Sequence, residues 1–352
     1  MKKLHILHLI YSLKVGGAES MLIDIVNGQL DRGEKVTVLI VNDVVDEQLV
    51  AKFDSRVSLV RMNRREGDKP LLMMARLNML IARLRPDIIH AHHHKFCRLV
   101  QVRRRRVLLT VHCKETSMQY AAKSAMVAIS DTVRDDIIGR VPGARVSTIF
   151  NGLRTADIVP RGTRKPDNIF RIVQVGSLNA EVKGQDILIK ALADLNERGQ
   201  SAFDITFIGA GKDEQLLRSL AADLGVADRV HFAGLMDRGT LYSTLASFDA
   251  MAHPSRSEGF GLTVAEGMAA GLPLLLTRHD GPWEVADNGR LCSDFPAGDH
   301  HALADALLAL RENYTDALSL AAEARTFVRR YDIAHTIEAY SNYYRRLLSG
   351  KA

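Results

Sequence analysis

The sequence predicts an α/β fold built twice: two parallel sheets, each wrapped by helices, in a chain of 352 residues. Three observations predict it. Short β-branched or Leu-rich runs alternate with helix-length amphipathic segments along the chain, the pattern of strand, crossover helix and parallel strand. The alternation breaks once, at a turn-rich stretch, and then resumes. The length also suits two cores of ordinary size, at roughly 150 residues each. Hydrophobic residues make up 47% and charged residues 25%, a composition that excludes extended disorder or a collagen-like chain.

In the first half the strand candidates are His5 to Ile10, Val36 to Val41, Val57 to Val60, Ile88 to Ala91, Val107 to Val111, Ala125 to Ile129 and Val146 to Phe150. The stretch Arg154 to Asn168 follows, with Pro160, Gly162 and Pro166 and no apolar periodicity, and is the expected linker. The boundary is accordingly set between residues 160 and 161. In the second half the candidates are Arg171 to Val175, Ile205 to Ile208, Val230 to Phe232, Ala250 to His253 and Leu274 to Leu276. Near the end, Ile333, Ile337, Tyr340, Tyr344 and Leu347 recur at steps of four and three. They share one helical face, which needs a groove to bury it.

Charge is unevenly shared. Residues 1–160 hold 26 basic and 16 acidic side chains and the remainder 21 and 25, so the first half suits an anionic partner. Cys97, Cys113 and Cys292 have no paired spacing, which argues against a disulfide framework or zinc ribbon and points to a reducing, cytoplasmic setting. No apolar run reaches the roughly 18 residues of a membrane span. Met1 to Leu13 opens with two lysines but is broken by His5 and His8, and reads as a first strand rather than a signal peptide.

The richest segment runs from His253 to Glu266, between a strand and a helix. Glu258 precedes the turn made by Gly259 and Gly261, and Glu266 lies one and a half helical turns beyond, about 7.5 Å along the axis. Two carboxylates thus reach one cleft at different depths. The N–H groups of the first helical turn, from Phe260 and Gly261 to Leu262 and Thr263, suit a phosphate or a sugar hydroxyl. An ordinary strand-to-helix turn with an acidic residue favouring the helix dipole fits the same spacing.

Other groups are read more plainly. His90, His92, His93 and His94 crowd a strand end, but neighbours on an extended chain face opposite ways, so a cluster lining the cleft or satisfied locally is expected before a metal site. No Asp-x-Asp occurs. Gly209, Ala210 and Gly211 lack the third glycine of a dinucleotide fingerprint, which argues against NAD. Cys113 beside His112 is read as a buried small residue. Lys69, Arg76 and Arg83 recur every seven residues, opposite an apolar face of Met74, Leu77, Ile81 and Leu84, and Arg103, Arg104, Arg105 and Arg106 form a compact run. Either is a solvated face, or together they meet an anionic membrane surface or anionic acceptor. Nucleic acid is not expected, because no aromatic platform interleaves these charges.

The run from Pro254 to Pro273, with its two glutamates, resembles the signature of retaining GT-B glycosyltransferases, family four (glycosyl transferases group 1). Further segments agree in order. Gly16, Gly17, Ala18 and Glu19 resemble the family's glycine loop; His112 after Val111 resembles its active-site histidine; Ser130, then Asn151 and Gly152, match the close of its first domain. Val175 and Gly176, then Lys183 and Gly184, resemble its donor-phosphate lysine motif, with Gly209 following the next strand. The resemblance covers nearly the whole chain. One departure is Ser177, where many members carry arginine, so Lys183 must do more or Arg256 must contribute.

The resemblance implies a GT-B fold: two Rossmann-like domains facing a central cleft, 1–160 for the acceptor and 161–332 for the donor, with 333–352 crossing back to the first. It implies transfer from a UDP- or GDP-sugar, with no cofactor and no metal, to a saccharide or lipid-linked acceptor in cell-surface polysaccharide or lipopolysaccharide synthesis. The expected catalytic residues are His112 and Glu258. The expected donor-binding residues are Gly16, Gly17, Lys183, Gly209, Phe260, Gly261, Leu262 and Glu266. The expected location is the cytoplasm, peripheral to the inner membrane face. A sugar-nucleotide epimerase of related architecture and a non-catalytic nucleotide-sugar-binding protein would use the same donor site.

Overall fold

The structure, a computed structural model, describes residues 3–65, 68–103, 106–114, 124–162, 164 and 166–350. The chain forms two compact units, Met1–Gly152 with Ile333–Ala352, and Leu153–Asp332. In the first, strands β1 (His5–Ile10), β2 (Lys35–Asn42), β3 (Ser58–Arg64), β4 (Ile88–Ala91), β5 (Val107–Val111), β6 (Ala125–Ala128) and β7 (Arg145–Thr148) lie in the order β3-β2-β1-β4-β5-β6-β7. In the second, β8 (Phe170–Val175), β9 (Phe203–Ile208), β10 (Val230–Phe232), β11 (Ala250–His253), β12 (Leu274–Thr277) and β13 (Ser293–Phe295) lie in the order β10-β9-β8-β11-β12-β13. Both sheets are parallel. Central strands such as β1, β4 and β11 are buried at every residue, which is why they read as continuous apolar runs rather than alternating ones. The sequence pattern identifies every strand except β13, whose three residues begin with the polar pair Ser293 and Asp294.

Each sheet reverses its strand order once, between β1 and β4 and between β8 and β11. Connections leaving two such strands depart to opposite faces, so a crevice opens at their carboxyl ends. Those ends lead into the Gly16 loop and His92 in the first unit, and into the Gly176 and Pro254 loops in the second.

The C-terminal helix Ile333–Leu348 buries Ile333, Ile337, Tyr340 and Tyr344, the stripe its periodicity predicts, while Leu347 is half-buried. It lies against helix Gly17–Asp31, at Gly28. A Cβ there would sit 2.1 Å from Ile337 Cδ1, so glycine permits the close crossing.

The division between units falls at Gly152 and Leu153, ahead of the boundary expected at 160. The turn-rich stretch is stitched into the second unit instead. Arg161 donates its backbone N–H to Ala270 O at 2.8 Å, and its buried guanidinium donates to Phe248 O at 2.7 Å and Asp249 Oδ1 at 2.8 Å. Arg164 Nη2 reaches the same carboxylate oxygen at 2.9 Å. Breaking a buried ion pair strands the remaining charge, a loss of roughly 3 to 5 kcal/mol. Arg161→Met should therefore cost about 3 kcal/mol, near the low end because Arg164 stays, read as a fall in the urea midpoint. A midpoint within error of wild type would show that the stretch is a free linker.

Candidate functional site

The crevice of the second unit is built by two loops. Beyond β8 the chain passes Gly176 and Ser177 into the short helix Ala180–Lys183. Lys183 ends this helix, and its backbone carbonyl accepts from Gln174 Nε2 at 2.7 Å. Beyond β11 the chain runs from Pro254 to Gly261, then enters helix Leu262–Ala270. Lys183 Nζ and Glu258 Oε2 form an ion pair, and His253 Nε2 lies 3.2 Å from the same oxygen. Burial pushes the Glu258 carboxyl up, but the His253 hydrogen bond and the Lys183 charge outweigh it and hold the group down at about 2. The structure thus joins two residues that lie 75 positions apart in sequence.

Arg256 does not face this pair as a second free cation. It grips Asp186 through two hydrogen bonds of 2.9 Å and donates to Ala180 O at 2.6 Å, while its own N–H donates to Val182 O at 2.8 Å. It fastens the Lys183 segment to the Glu258 loop.

Gly261 caps helix Leu262–Ala270 at φ +90°, a left-handed conformation suited to glycine. Phe260 buries its ring edge-on to Tyr331, and Leu262 is half-buried. One turn on, Glu266 Oε1 accepts from the buried Tyr242 hydroxyl at 3.4 Å. Gly209 has a reason of its own to be glycine. A Cβ would lie 2.0 Å from Gly176 O, so it lets the β8 and β9 ends close together.

In the first unit Gly16 is the extended N-cap of helix Gly17–Asp31 and Gly17 its exposed first residue. A Cβ on Gly16 would meet Glu19 Oε2 at 2.5 Å. His112 follows β5, and its Nε2 lies 3.3 Å from His92 Nδ1. The histidine run divides: His92 stacks on both His90 and His8, with His90 tilted against His8, whereas His93 lies edge-on to Tyr11 and beside His94. Ring nitrogens of His8, His90 and His92 come within 4.8 Å of one another, but each ring is already hydrogen-bonded to protein groups. His8, on β1, carries no signal in the sequence as a partner of this run. Cys113 is exposed rather than buried.

The basic residues separate into two sets. Helix Pro70–Leu84 is preceded by Lys69 at its N-cap and buries Met73, Leu77 and Ile81, so Met73 replaces the expected Met74. Its outer face carries Leu72, 71% exposed, between Lys69 and Arg76, and Met79, 50% exposed, between Arg76 and Arg83; Arg76 Nη1 also donates to Met62 O at 2.9 Å. In the second set, Arg103 donates to Pro86 O at 3.2 Å, and Arg106 lies 3.7 Å from Asp87. Both sit at the end of β5 opposite His112. Arg104 and Arg105 lie outside the described residues. No described helix is long and apolar enough to cross a membrane.

Comparison with known proteins agrees with this architecture. Residues 15–157 match the family described as Glycosyltransferase Family 4, and residues 157–327 that described as Glycosyl transferases group 1. The chain belongs to this GT-B glycosyltransferase family. A phosphatidyl-myo-inositol mannosyltransferase of Mycobacterium leprae is 33% identical over 165 residues, 46% of this chain and 42% of that protein. The chain spans about half the length of the first curated relatives it matches. The lipopolysaccharide core biosynthesis glycosyltransferase LpsD of Rhizobium meliloti is 25% identical across 85% of each chain. Among solved structures, HepE of Anabaena in complex with UDP and glucose superposes with a TM-score of 0.81 at 22% identity, covering 97% of this chain and 99% of that one.

The Glu258 pair gives this family member a pH signature. The carboxyl is held at about 2 against an ordinary value of 4.5, so its contribution to stability is present above 4.5 and is lost as pH falls toward 2. Wild type should exceed Glu258→Gln by on the order of 3 kcal/mol at pH 7, with the gap closing between about pH 5 and 2. Denaturant unfolding at a series of pH values reads this directly, and a gap that ignores pH would mean the carboxylate is not held by its partners.

Proposed function

We propose that this protein is a retaining, metal-independent glycosyltransferase that moves a sugar from a UDP- or GDP-sugar to a saccharide or lipid-linked acceptor during synthesis of a cell-surface polysaccharide or lipopolysaccharide. The observation that carries the reading is the Lys183 and Glu258 pair at the strand-order reversal of the second sheet, where doubly wound sheets take their ligands. The UDP and glucose bound by HepE, and the lipopolysaccharide role of LpsD, support the donor and pathway classes.

In this reading the donor diphosphate takes over Lys183, and Glu258, released from the ammonium, accepts hydrogen bonds from the sugar hydroxyls beside the N–H groups of Gly261 and Leu262. Glu266 accepts from the ribose, with Tyr242 fixing its carboxylate. Departure of a nucleoside diphosphate develops negative charge; Lys183 and the helix start at Leu262 stabilise it in place. The acceptor hydroxyl attacks the anomeric carbon on the face the leaving group vacates and passes its proton to the departing phosphate oxygen as the bond to the diphosphate breaks; His112 hydrogen-bonds a hydroxyl of the substrate.

In this reading the first unit is the acceptor half, and its face of Lys69, Leu72, Arg76, Met79 and Arg83 meets an anionic membrane surface. The basic groups supply attraction and the leucine and methionine supply insertion. Each lysine or arginine near such a surface contributes about 1 kcal/mol.

Screening UDP-, GDP- and ADP-sugars for slow hydrolysis, in EDTA, tests the donor reading. Glu266→Ala should weaken nucleotide binding at least tenfold, as expected for lost hydrogen bonds to a charged group of roughly 1.5 to 3 kcal/mol. Glu258→Ala should lose turnover more than nucleotide affinity. Unchanged nucleotide affinity in folded Glu266→Ala sinks the site assignment; an inverted product, or activity that EDTA abolishes and a divalent ion restores, sinks the mechanism; free isomerised sugar nucleotide would identify an epimerase. For the surface, wild type should sediment with anionic vesicles at low salt and release as salt screens the charges. Glutamine at Leu72, Arg76, Met79 and Arg83 together should abolish sedimentation and spare donor hydrolysis. Equal sedimentation of the two proteins would leave this face an ordinary solvated one.

A further inference from the structure

One line of hydrogen bonds threads the first unit from the C-terminal helix to His112. Tyr340 Oη lies 2.9 Å from Thr110 Oγ1, which lies 2.6 Å from His90 Nε2. His90 Nδ1 is 2.7 Å from Tyr344 Oη, and Gln29 Nε2 donates to that hydroxyl at 3.1 Å. Gln29 Oε1 is 2.9 Å from His8 Nε2, His8 Nδ1 is 3.0 Å from His92 Nε2, and His92 Nδ1 is 3.3 Å from His112 Nε2. The line stops at His112 Nδ1, which is buried and has no partner among the described residues.

A neutral imidazole has one N–H and one lone pair, so a proton placed at one link dictates every link after it. Gln29 sets the direction, because it offers its carbonyl to His8 and its amide N–H to Tyr344. His8 must donate from Nε2 and accept at Nδ1; His92 must then donate from Nε2 and accept at Nδ1; His112 must donate from Nε2. The other arm obeys the same rule. Tyr344 accepts from Gln29 and donates to His90 Nδ1, His90 Nε2 donates to Thr110, and Thr110 donates to Tyr340. Nowhere do two donors or two acceptors face each other.

The rings stay neutral for a physical reason. Burial pushes His8 and His112 down to about 4, and holds His90 and His92 well below the ordinary imidazole range, where neighbouring rings add to the effect. A second proton on His8 or His92 would also turn an N–H toward another N–H.

We infer that Gln29, His8 and His92 are positioning residues that hold His112 in its Nε2-protonated tautomer, presenting Nδ1 as a bare acceptor to a hydroxyl of the bound substrate. The inference rests on the role of His112 proposed above. It also narrows that role. A ring locked this way takes a hydrogen bond from a sugar hydroxyl, but it has no proton to give from that nitrogen, so it acts as an acceptor and not as a general acid.

Ring-nitrogen NMR of the full-length, unliganded protein tests this, since coupling to an attached hydrogen separates a protonated nitrogen from a bare one; His112→Asn assigns the signal. Wild type should show the His112 proton on Nε2. Gln29→Leu removes the group that sets the direction, and His92→Phe keeps a ring that stacks but removes the link; in both, His112 should become a mixture of the two tautomers. A merely structural contact would leave the tautomer unmoved. A proton on Nδ1 in wild type, or an unchanged His112 signal in either variant while it still unfolds cooperatively, overturns the inference. Should both variants fail to fold, the wild-type spectrum alone decides. The expected tautomer together with full donor turnover in His112→Ala would overturn the functional reading and not the hydrogen-bond line.

Discussion

A parallel sheet covered by helices on both faces can receive a polar ligand only at the ends of its strands. The position of the candidate site follows from that constraint. Strands such as β1, β4 and β11 are wholly buried, so the chemistry gathers where β1 and β4 diverge and where β8 and β11 diverge. The loops at these ends carry the glycines, Lys183, Glu258 and His92. The two units apply one topological solution to different chemistries. The second concentrates paired charge, whereas the first assembles uncharged imidazoles.

The electrostatics of the second unit separate holding from acting. Arg256 has its guanidinium occupied by Asp186 and Ala180, so it braces one loop against the other. Lys183 and Glu258 are bound mainly to each other, with His253 as third partner. A pair of opposite charges kept together in a partly buried crevice satisfies both groups. In the first unit the interior line ending at His112 contains no charged group.

Much of this architecture is legible in the sequence, because continuous burial writes itself as runs of Val, Ile and Leu. β13 escapes because only its last residue, Phe295, is buried. The domain boundary is misplaced because proline and glycine mark a turn without revealing that Arg161 anchors it to Asp249. The glutamates, Lys183 and His112 are legible through their motifs. The partners that give them their properties are not: Gln29, His8 and Tyr344 reach the histidine line from a helix, a strand and the distant C-terminal helix, and nothing local in their sequence records that meeting. Periodicity shows which face of a helix is buried, not which hydroxyl on that face becomes a hydrogen-bond partner. The fate of Arg103 and Arg106 is hidden for the same reason, since a run of arginines looks alike whether it faces solvent or caps neighbouring backbone.

The packing of helix Ile333–Leu348 onto helix Gly17–Asp31 has a consequence for how the molecule is made. The first unit is discontinuous in sequence, and its last helix is synthesised only after the whole of the second unit. As the ribosome works from the amino end and domains fold as units, the second unit has all its parts while the first still lacks the stripe of Ile337, Tyr340 and Tyr344. Until those residues emerge, helix Gly17–Asp31 keeps an uncovered flank, and Gln29 and His90 lack the Tyr344 hydroxyl they share. The half translated ahead of the second unit is thus completed only after it, and a chain halted before residue 333 leaves that half unfinished.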